Sequence, residues 1–304
     1  MTLLEFINTQ GHRFWDEGKH FEDVKKQVTR FCEFSDHSSR PINAFKPIDI
    51  YNFIDSLTAD GLTNNTCNRY ISAITKTFKE AVGMELVSHP PLVRWKSVEK
   101  GRDRFFTRAE VSLVMDYLGK HRPWMKAYCV IGLNTGMRLG EIMATKRSWI
   151  NEDYTELQLP YEVGGFKTKN REERFVPLNP EAGTAFKELF ETLGGNNYVH
   201  STFTRTWKKM REEFFRMGNI PKVEDFVFHV FRHTCATNLV NHFNINISTV
   251  GKILGHKDPK TTEKYVHHKE ERVSGIMEQL GRYNSGELGE HHVTGQTYVG
   301  GPLA

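Results

Sequence analysis

Cysteine is scarce and scattered: Cys32, Cys67, Cys129 and Cys235 are the four in 304 residues. No pair has the spacing of a zinc knuckle or a redox motif, so buried thiols in a reducing cytoplasm are expected. No apolar run approaches the ~20 residues of a membrane-spanning helix, and no membrane partner is expected. The opening Met1-Thr2-Leu3-Leu4-Glu5 has no basic stretch followed by an apolar core, so a signal peptide is not expected either. An excess of one charge is also missing. Lys and Arg number 41 against 37 Asp and Glu, a formal net charge of +4. Such a balance permits a nucleic-acid partner without demanding one, and the placement of the charge decides. No internal repeat is present. What the chain does have is length and apolar residues (38%) enough for the cores of two ordinary domains.

The first ninety residues have helical periodicity broken by turn signals. Phe21, Val24, Val28, Phe31 and Cys32 form an apolar stripe over about 20–34. Ile50, Phe53, Ile54 and Leu57 form another after Pro47, ending near Gly61. A third helix starts at Thr63 or Asn64 and runs to about Val82, with Cys67, Tyr70, Ile71, Ile74 and Phe78 facing a core. Its other side carries Asn65, Arg69, Ser72, Lys76 and Lys79, either a solvated face or a face for an anionic partner. His89-Pro90-Pro91 and the basic residues Arg94, Lys96, Lys100, Arg102 and Arg104 then read as an extended linker over 91–104. A second domain opens at Thr107, where Thr107-Arg108-Ala109-Glu110 has the reciprocal capping pattern of a helix start. It is expected to span 105–283: helices to about Arg147, strands over 155–159, 161–167 and 174–178, and helices again after Asn179-Pro180. Residues 284–304, rich in Gly, Ser, Thr and His, are expected to be a disordered tail.

Four segments of this second domain carry possible chemistry. They are Thr135-Gly136-Met137-Arg138-Leu139-Gly140-Glu141-Ile142; Lys167-Thr168-Lys169 with Phe175-Val176-Pro177-Leu178; His229-Val230-Phe231-Arg232-His233-Thr234; and Leu254-Gly255-His256 continuing to Thr261-Thr262-Glu263-Lys264-Tyr265. Each has an ordinary explanation alone. An Arg-x-x-Glu is usually a surface ion pair, and a hairpin lysine is usually solvated. His229 and His233 have the spacing of helical zinc ligands, yet lack the Glu of a hydrolytic zinc helix, and no metal is expected. In this order and at these separations, the four together resemble the tyrosine recombinase (phage integrase) family from about Thr107 to His268. The amino-terminal helices resemble that family's core-binding domain by length and helix content only.

The resemblance implies a mainly α fold with a small antiparallel β-sheet: a helical core-binding domain (1–90), a basic linker, and a mixed α+β catalytic domain. It implies that Arg138, Lys167, His229, Arg232, His256 and Tyr265 are catalytic, with Glu141 supporting Arg138 and Lys169 the competing lysine. The residue types suit the reaction. Two guanidiniums can grip the non-bridging oxygens of a phosphodiester in a forked geometry. Tyr265, whose phenol has an ordinary pKa near about 10, needs a base, and His229 is the candidate. His256 donates to the phosphate or helps to place the tyrosine. Lys167 protonates the departing 5′-oxygen. A covalent 3′-phosphotyrosine conserves the bond energy, so neither ATP nor metal is needed. Local sequence places Tyr265 about two turns into a helix starting at Asp258-Pro259. Arg69, Lys76, Lys79, Arg94, Lys100 and Arg102 are candidate DNA contacts. The implied partners are double-stranded DNA recombination sites, a homotetramer in synapsis and an accessory directionality factor; the apolar stripe Val273, Ile276, Met277 and Leu280 either packs on its own catalytic domain or, as the resemblance favours, docks on a neighbour. The expected setting is a bacterial cytoplasm or a phage host cell. Phage or mobile-element integration and excision come first, dimer resolution second, and a type IB topoisomerase or a silent DNA-binding regulator further behind.

Overall fold

The structure, a computed structural model, describes residues 1–16, 18–98, 104–168, 172–193, 200–218, 222–243, 245–256, 258, 260–263 and 265. Two compact units divide the chain, Met1–Gly101 and Arg102–Ala304. Lys100, Arg102, Lys169, the stripe from Val273 to Leu280 and the tail at 284–304 lie outside the described residues.

The first unit is built from α1 (Leu3–Gln10), α2 (Lys19–Glu33), α3 (Pro47–Ala59) and α4 (Asn64–Gly83). The apolar stripes expected for α2, α3 and α4 are the buried faces: Phe21 to Cys32, Ile50 to Leu57, and Cys67, Ile71, Ile74 and Phe78. Phe31 meets Phe53 edge-on at 5.3 Å, and Phe45 meets Phe78 at 5.7 Å. Each buried ring contributes roughly 1.5–3 kcal/mol. α1 is a helix beyond the three expected here, although its start is legible in the sequence. Thr2 Oγ1 accepts from Glu5 N–H at 3.1 Å while Glu5 returns an acceptor to Thr2 N–H at 2.8 Å. Arg69, Ser72, Lys76 and Lys79 are exposed along the other side of α4, Lys76 with its ammonium 4.7 Å over the Trp15 ring.

The segment read as a linker begins inside this unit. Asn68 on α4, almost fully buried, bonds both backbone groups of Lys96, donating to its oxygen at 2.9 Å and accepting from its nitrogen at 2.8 Å. Asn64 donates to the oxygen of Ser97, and Tyr51 Oη accepts from Arg94 N–H. Side chains thus replace a β-partner, and the main chain of residues 94–97 is strapped to this unit. Arg94 remains exposed.

In the second unit come α5 (Arg108–His121), α6 (Pro123–Thr135), α7 (Leu139–Ala144), β1 (Glu156–Leu159), β2 (Glu162–Val163), β3 (Phe166–Lys167), β4 (Arg174–Pro177), α8 (Pro180–Leu193), α9 (His200–Arg216), α10 (His229–Asn241), α11 (Ile247–Leu254) and α12 (Lys260–Glu263). The Thr107–Glu110 box caps α5 as expected. α6 is the central helix, with α5, α7, α8 and α10 packed on it. The expected single sheet is two: β1 pairs antiparallel with β4, and β2 with β3 inside that loop. Pro160, lacking an N–H, interrupts the ladder between them. All four cysteines are free and buried. No described helix is long and apolar enough to cross a membrane.

Candidate active site

Helix ends build this site. α6 stops because Gly136 adopts the left-handed conformation (φ 64°), and a Cβ there would lie 2.4 Å from Leu254 Cδ2. The chain re-enters a helix at once, with Arg138 as the N-cap of α7. Glu141, one turn on and buried, accepts from Arg138 N–H at 2.9 Å and from Arg138 Nη1 at 2.8 Å. Arg174, at the start of β4, grips the same carboxylate in a fork: Nη1 to Oε1 at 3.1 Å, Nη2 to Oε2 at 2.8 Å. Burial opposes ionisation of Glu141, yet the Arg174 fork and the Arg138 contacts outweigh it and hold the carboxyl at about 2.

That depressed value has a consequence for stability. The stabilisation is complete above the unfolded carboxyl value of about 4.3 and is lost as pH falls through the folded one. Glu141→Gln leaves two guanidiniums without their charge partner, an expected cost of about 3 kcal/mol at neutral pH. Urea unfolding of both proteins checks this. The gap between them should be full at pH 7 and shrink below pH 4; a gap independent of pH would mean that the charge is not what matters.

Arg232, on the first turn of α10, is the largest fully buried side chain among the described residues. Nη1 donates to Gly136 O at 2.6 Å, and Nη2 to Leu254 O at 2.8 Å and to His256 Nε2 at 2.9 Å. Both carbonyls are C-terminal ends of helices, α6 and α11, where the dipoles leave partial negative charge. This explains how the interior tolerates a cation. Burial and the nearby Arg138 lower its pKa to about 10, so it stays protonated at neutral pH. Gly255, left-handed at φ 67° after α11, lets the chain pass Arg174; a Cβ would stand 2.8 Å from Nη1.

An arginine nitrogen only donates, so His256 Nε2 accepts and its proton sits on Nδ1, which donates to Thr262 Oγ1 at 2.8 Å. His256 therefore ties α12 to Arg232 in this arrangement. Tyr265 was expected two turns inside a helix; it lies on a turn past the end of α12, its N–H bonded to Thr262 O at 3.0 Å. Among the described residues between Asp258 and the tyrosine, the helical ones are Lys260–Glu263. The ring is buried (2% exposed) among Ala236, Val240, Val250 and Leu254, 5.3 Å from the His233 ring and stacked at 6.3 Å on that of His256. Burial raises the phenol pKa, against the pull of Arg232 and Arg138, so the hydroxyl is protonated at neutral pH.

The structure thus brings together Arg138, Glu141, Arg232, His256 and Tyr265. Lys167 is on the hairpin, more than half exposed, paired with its cross-strand neighbour Glu162 at 2.9 Å. His229 opens α10, exposed, its ring 4.8 Å from that of His233. Two members of the cluster were missed in the sequence. Arg174 belongs to an unremarkable strand and gains meaning only from a partner far away in the chain. His233 was weighed only as a metal ligand, and its actual neighbour is Tyr265. Among the described residues no group of three or more His, Cys, Asp or Glu is placed to hold a metal.

Comparison with known proteins gives two family matches. Residues 104–272 match the phage integrase family, and residues 22–83 match the phage integrase N-terminal SAM-like domain. The shufflon-specific DNA recombinase of Escherichia coli is 26% identical over 219 residues, covering 70% of this chain and 54% of that protein. Tyrosine recombinase XerD of Haemophilus influenzae is 23% identical over 306 residues, covering 92% of this chain and 99% of that one. This chain spans about half the length of the first curated relatives it matches. A solved structure of the Tn1549 transposon integrase, in complex with a circular intermediate DNA, superposes with a TM-score of 0.79 at 16% identity, covering 92% of this chain and 99% of that one; it shares the fold.

Proposed function

This chain belongs to the phage integrase family, and from that premise we propose that it is a site-specific tyrosine recombinase that cuts and rejoins double-stranded DNA through a covalent 3′-phosphotyrosine at Tyr265. One observation carries the reading. A buried phenol lies beside Arg232 within a cluster of three guanidiniums, of which Arg138 and Arg174 share one buried carboxylate and Arg232 feels its charge. The cluster keeps a net positive charge where a phosphate would receive the phenol oxygen.

In this mechanism Arg138 and Arg232 hold the non-bridging oxygens, whose negative charge grows as a fifth oxygen nears phosphorus. Fixed donors of this kind lower a barrier by ~3–4 kcal/mol each. Glu141, clamped by Arg174, fixes the Arg138 guanidinium. The raised phenol pKa makes a base necessary. His229 takes that role from the family pattern, with His233 packed between it and the ring. His256 steadies Arg232 and, through Thr262, the segment bearing the tyrosine. Lys167 leaves Glu162 when the hairpin engages DNA and protonates the 5′-oxygen. Arg69, Lys76, Lys79 and Arg94, all exposed, follow the backbone with Lys100 and Arg102. Two duplexes exchanged at four strands call for four protomers. The biological setting is integration and excision of a phage or mobile element, with a directionality factor. Resolution of DNA dimers is the second reading, favoured by the near-complete coverage of XerD.

A supercoiled plasmid tests the class of reaction. Exchange between plasmids that depends on a specific sequence and persists in EDTA is the expected result; relaxation that needs no partner site would make the chain a topoisomerase. The lysine is tested separately. Lys167→Ala should lose ~10²–10⁴-fold in cleavage and recover on DNA whose 5′-bridging oxygen is sulfur, a leaving group that needs no proton. Recovery by Lys169→Ala instead would move the general acid two residues along.

A further inference from the structure

The backbone of the proposed nucleophile has a partner that this chemistry leaves unused. Asn241, the last residue of α10, donates from Nδ2 to the main-chain oxygen of Tyr265 at 3.0 Å. The segment needs an anchor of this kind. α12 is four residues long and ends before the tyrosine, so few intrahelical bonds hold the chain there.

The other end of Tyr265 lies well back along the same helix. Arg232 precedes Asn241 by roughly 13 Å of helix rise. Between them His233 lies 5.3 Å from the tyrosine ring, and Ala236 and Val240, at i+3 and i+7 from it, belong to the same buried cluster as the tyrosine. Tyr265 thus meets α10 at two places, its main chain at Asn241 and its phenol beside Arg232. One rigid helix therefore carries both the guanidinium that would hold the phosphate and the amide that holds the nucleophile's main chain.

We propose that Asn241 is a positioning residue for strand cleavage: its amide fixes the Tyr265 main chain on α10, and so sets the distance from the phenol oxygen to a phosphate held by Arg232. The proposal rests on Tyr265 being the nucleophile. Only the NH₂ of the amide can face a carbonyl, which fixes its orientation. Its Oδ1 is then buried, with no hydrogen-bond partner among the described residues. A side chain serving packing alone would be apolar here, with no buried oxygen to leave unsatisfied. Attack geometry is sensitive to such anchoring, since a displacement of about 1 Å costs on the order of 10²-fold in rate.

The test uses single-turnover formation of the covalent adduct. Its substrate is a nicked duplex carrying the cleavage site recovered from wild-type adducts, so that the cut fragment is lost and cannot rejoin. Asn241→Asp keeps the shape and removes the donor; Asn241→Gln keeps the donor on a longer stem. The Asp variant should lose at least ~10-fold in the rate at saturating DNA, with unchanged half-saturating DNA concentration and melting temperature, and the Gln variant should regain part of the rate. An Asp variant as fast as wild type overturns the proposal while leaving Tyr265 as nucleophile. Equal losses in both variants, accompanied by lower melting temperatures, assign Asn241 to the stability of α10 and also overturn it. A wild-type adduct on another residue would remove the nucleophile assignment, and the proposal with it.

Discussion

Tyr265→Phe should bind DNA like the wild-type protein and form no covalent adduct. The two halves of this expectation have separate causes. Binding persists because the ring does the packing: it is buried against Ala236, Val240, Val250 and Leu254, beside the His233 and His256 rings. Phenylalanine fills that space, and the backbone bonds to Asn241 and Thr262 do not involve the side chain. Cleavage fails because the hydroxyl is the only group removed. Loss of a nucleophile costs at least about 10⁴-fold where a residual rate is measurable at all. Denaturing gels of protein mixed with end-labelled DNA read the adduct, and a mobility shift on native gels reads binding. An adduct formed by the variant would put the nucleophile elsewhere.

Arg138→Lys and Arg232→Lys should each slow cleavage about 10²–10³-fold although the charge is kept. The two differ in what else they disturb. Arg138 is partly exposed, with the Glu141 bond on one nitrogen, so its replacement should leave the melting temperature close to wild type. Arg232 is different: three of its five N–H donors go to Gly136 O, Leu254 O and His256. An ammonium cannot span two helix ends, and this variant should also melt lower. Cleavage rates on one duplex, beside thermal melts, separate the two effects. A near-normal rate in Arg138→Lys would remove that arginine from the mechanism.

Periodicity made much of the first unit legible, because α2, α3 and α4 each bury one stripe that repeats at helical spacing. Capping chemistry located the start of α5, and the same chemistry at Thr2 and Glu5 was available for α1. Strand positions were legible from turn residues, but their division into two small sheets depends on a ladder that only the paired backbone shows. In the site, the resemblance of four motifs to the tyrosine recombinase family singled out Arg138, Glu141, Arg232, His256 and Tyr265. Long-range contacts stayed hidden for a physical reason: the fork from Arg174 to Glu141 and the amide from Asn241 to Tyr265 join distant segments. A lone arginine in a strand or an asparagine at a helix end has no local pattern that reveals its partner. The position of Tyr265 past a four-residue α12 was misjudged because Asp258-Pro259 signals where a helix starts and is silent on where it stops.

The proposed chemistry stands on a bond between Tyr265 and a 3′-phosphate. Its most direct test is mass spectrometry of wild-type protein trapped on nicked DNA, digested with nuclease and then trypsin. The expected product is the peptide from Tyr265 to Lys269, carrying a nucleotide joined through its 3′-phosphate to the phenol oxygen. A nucleotide on any other residue, or one attached through its 5′-phosphate, would contradict the account.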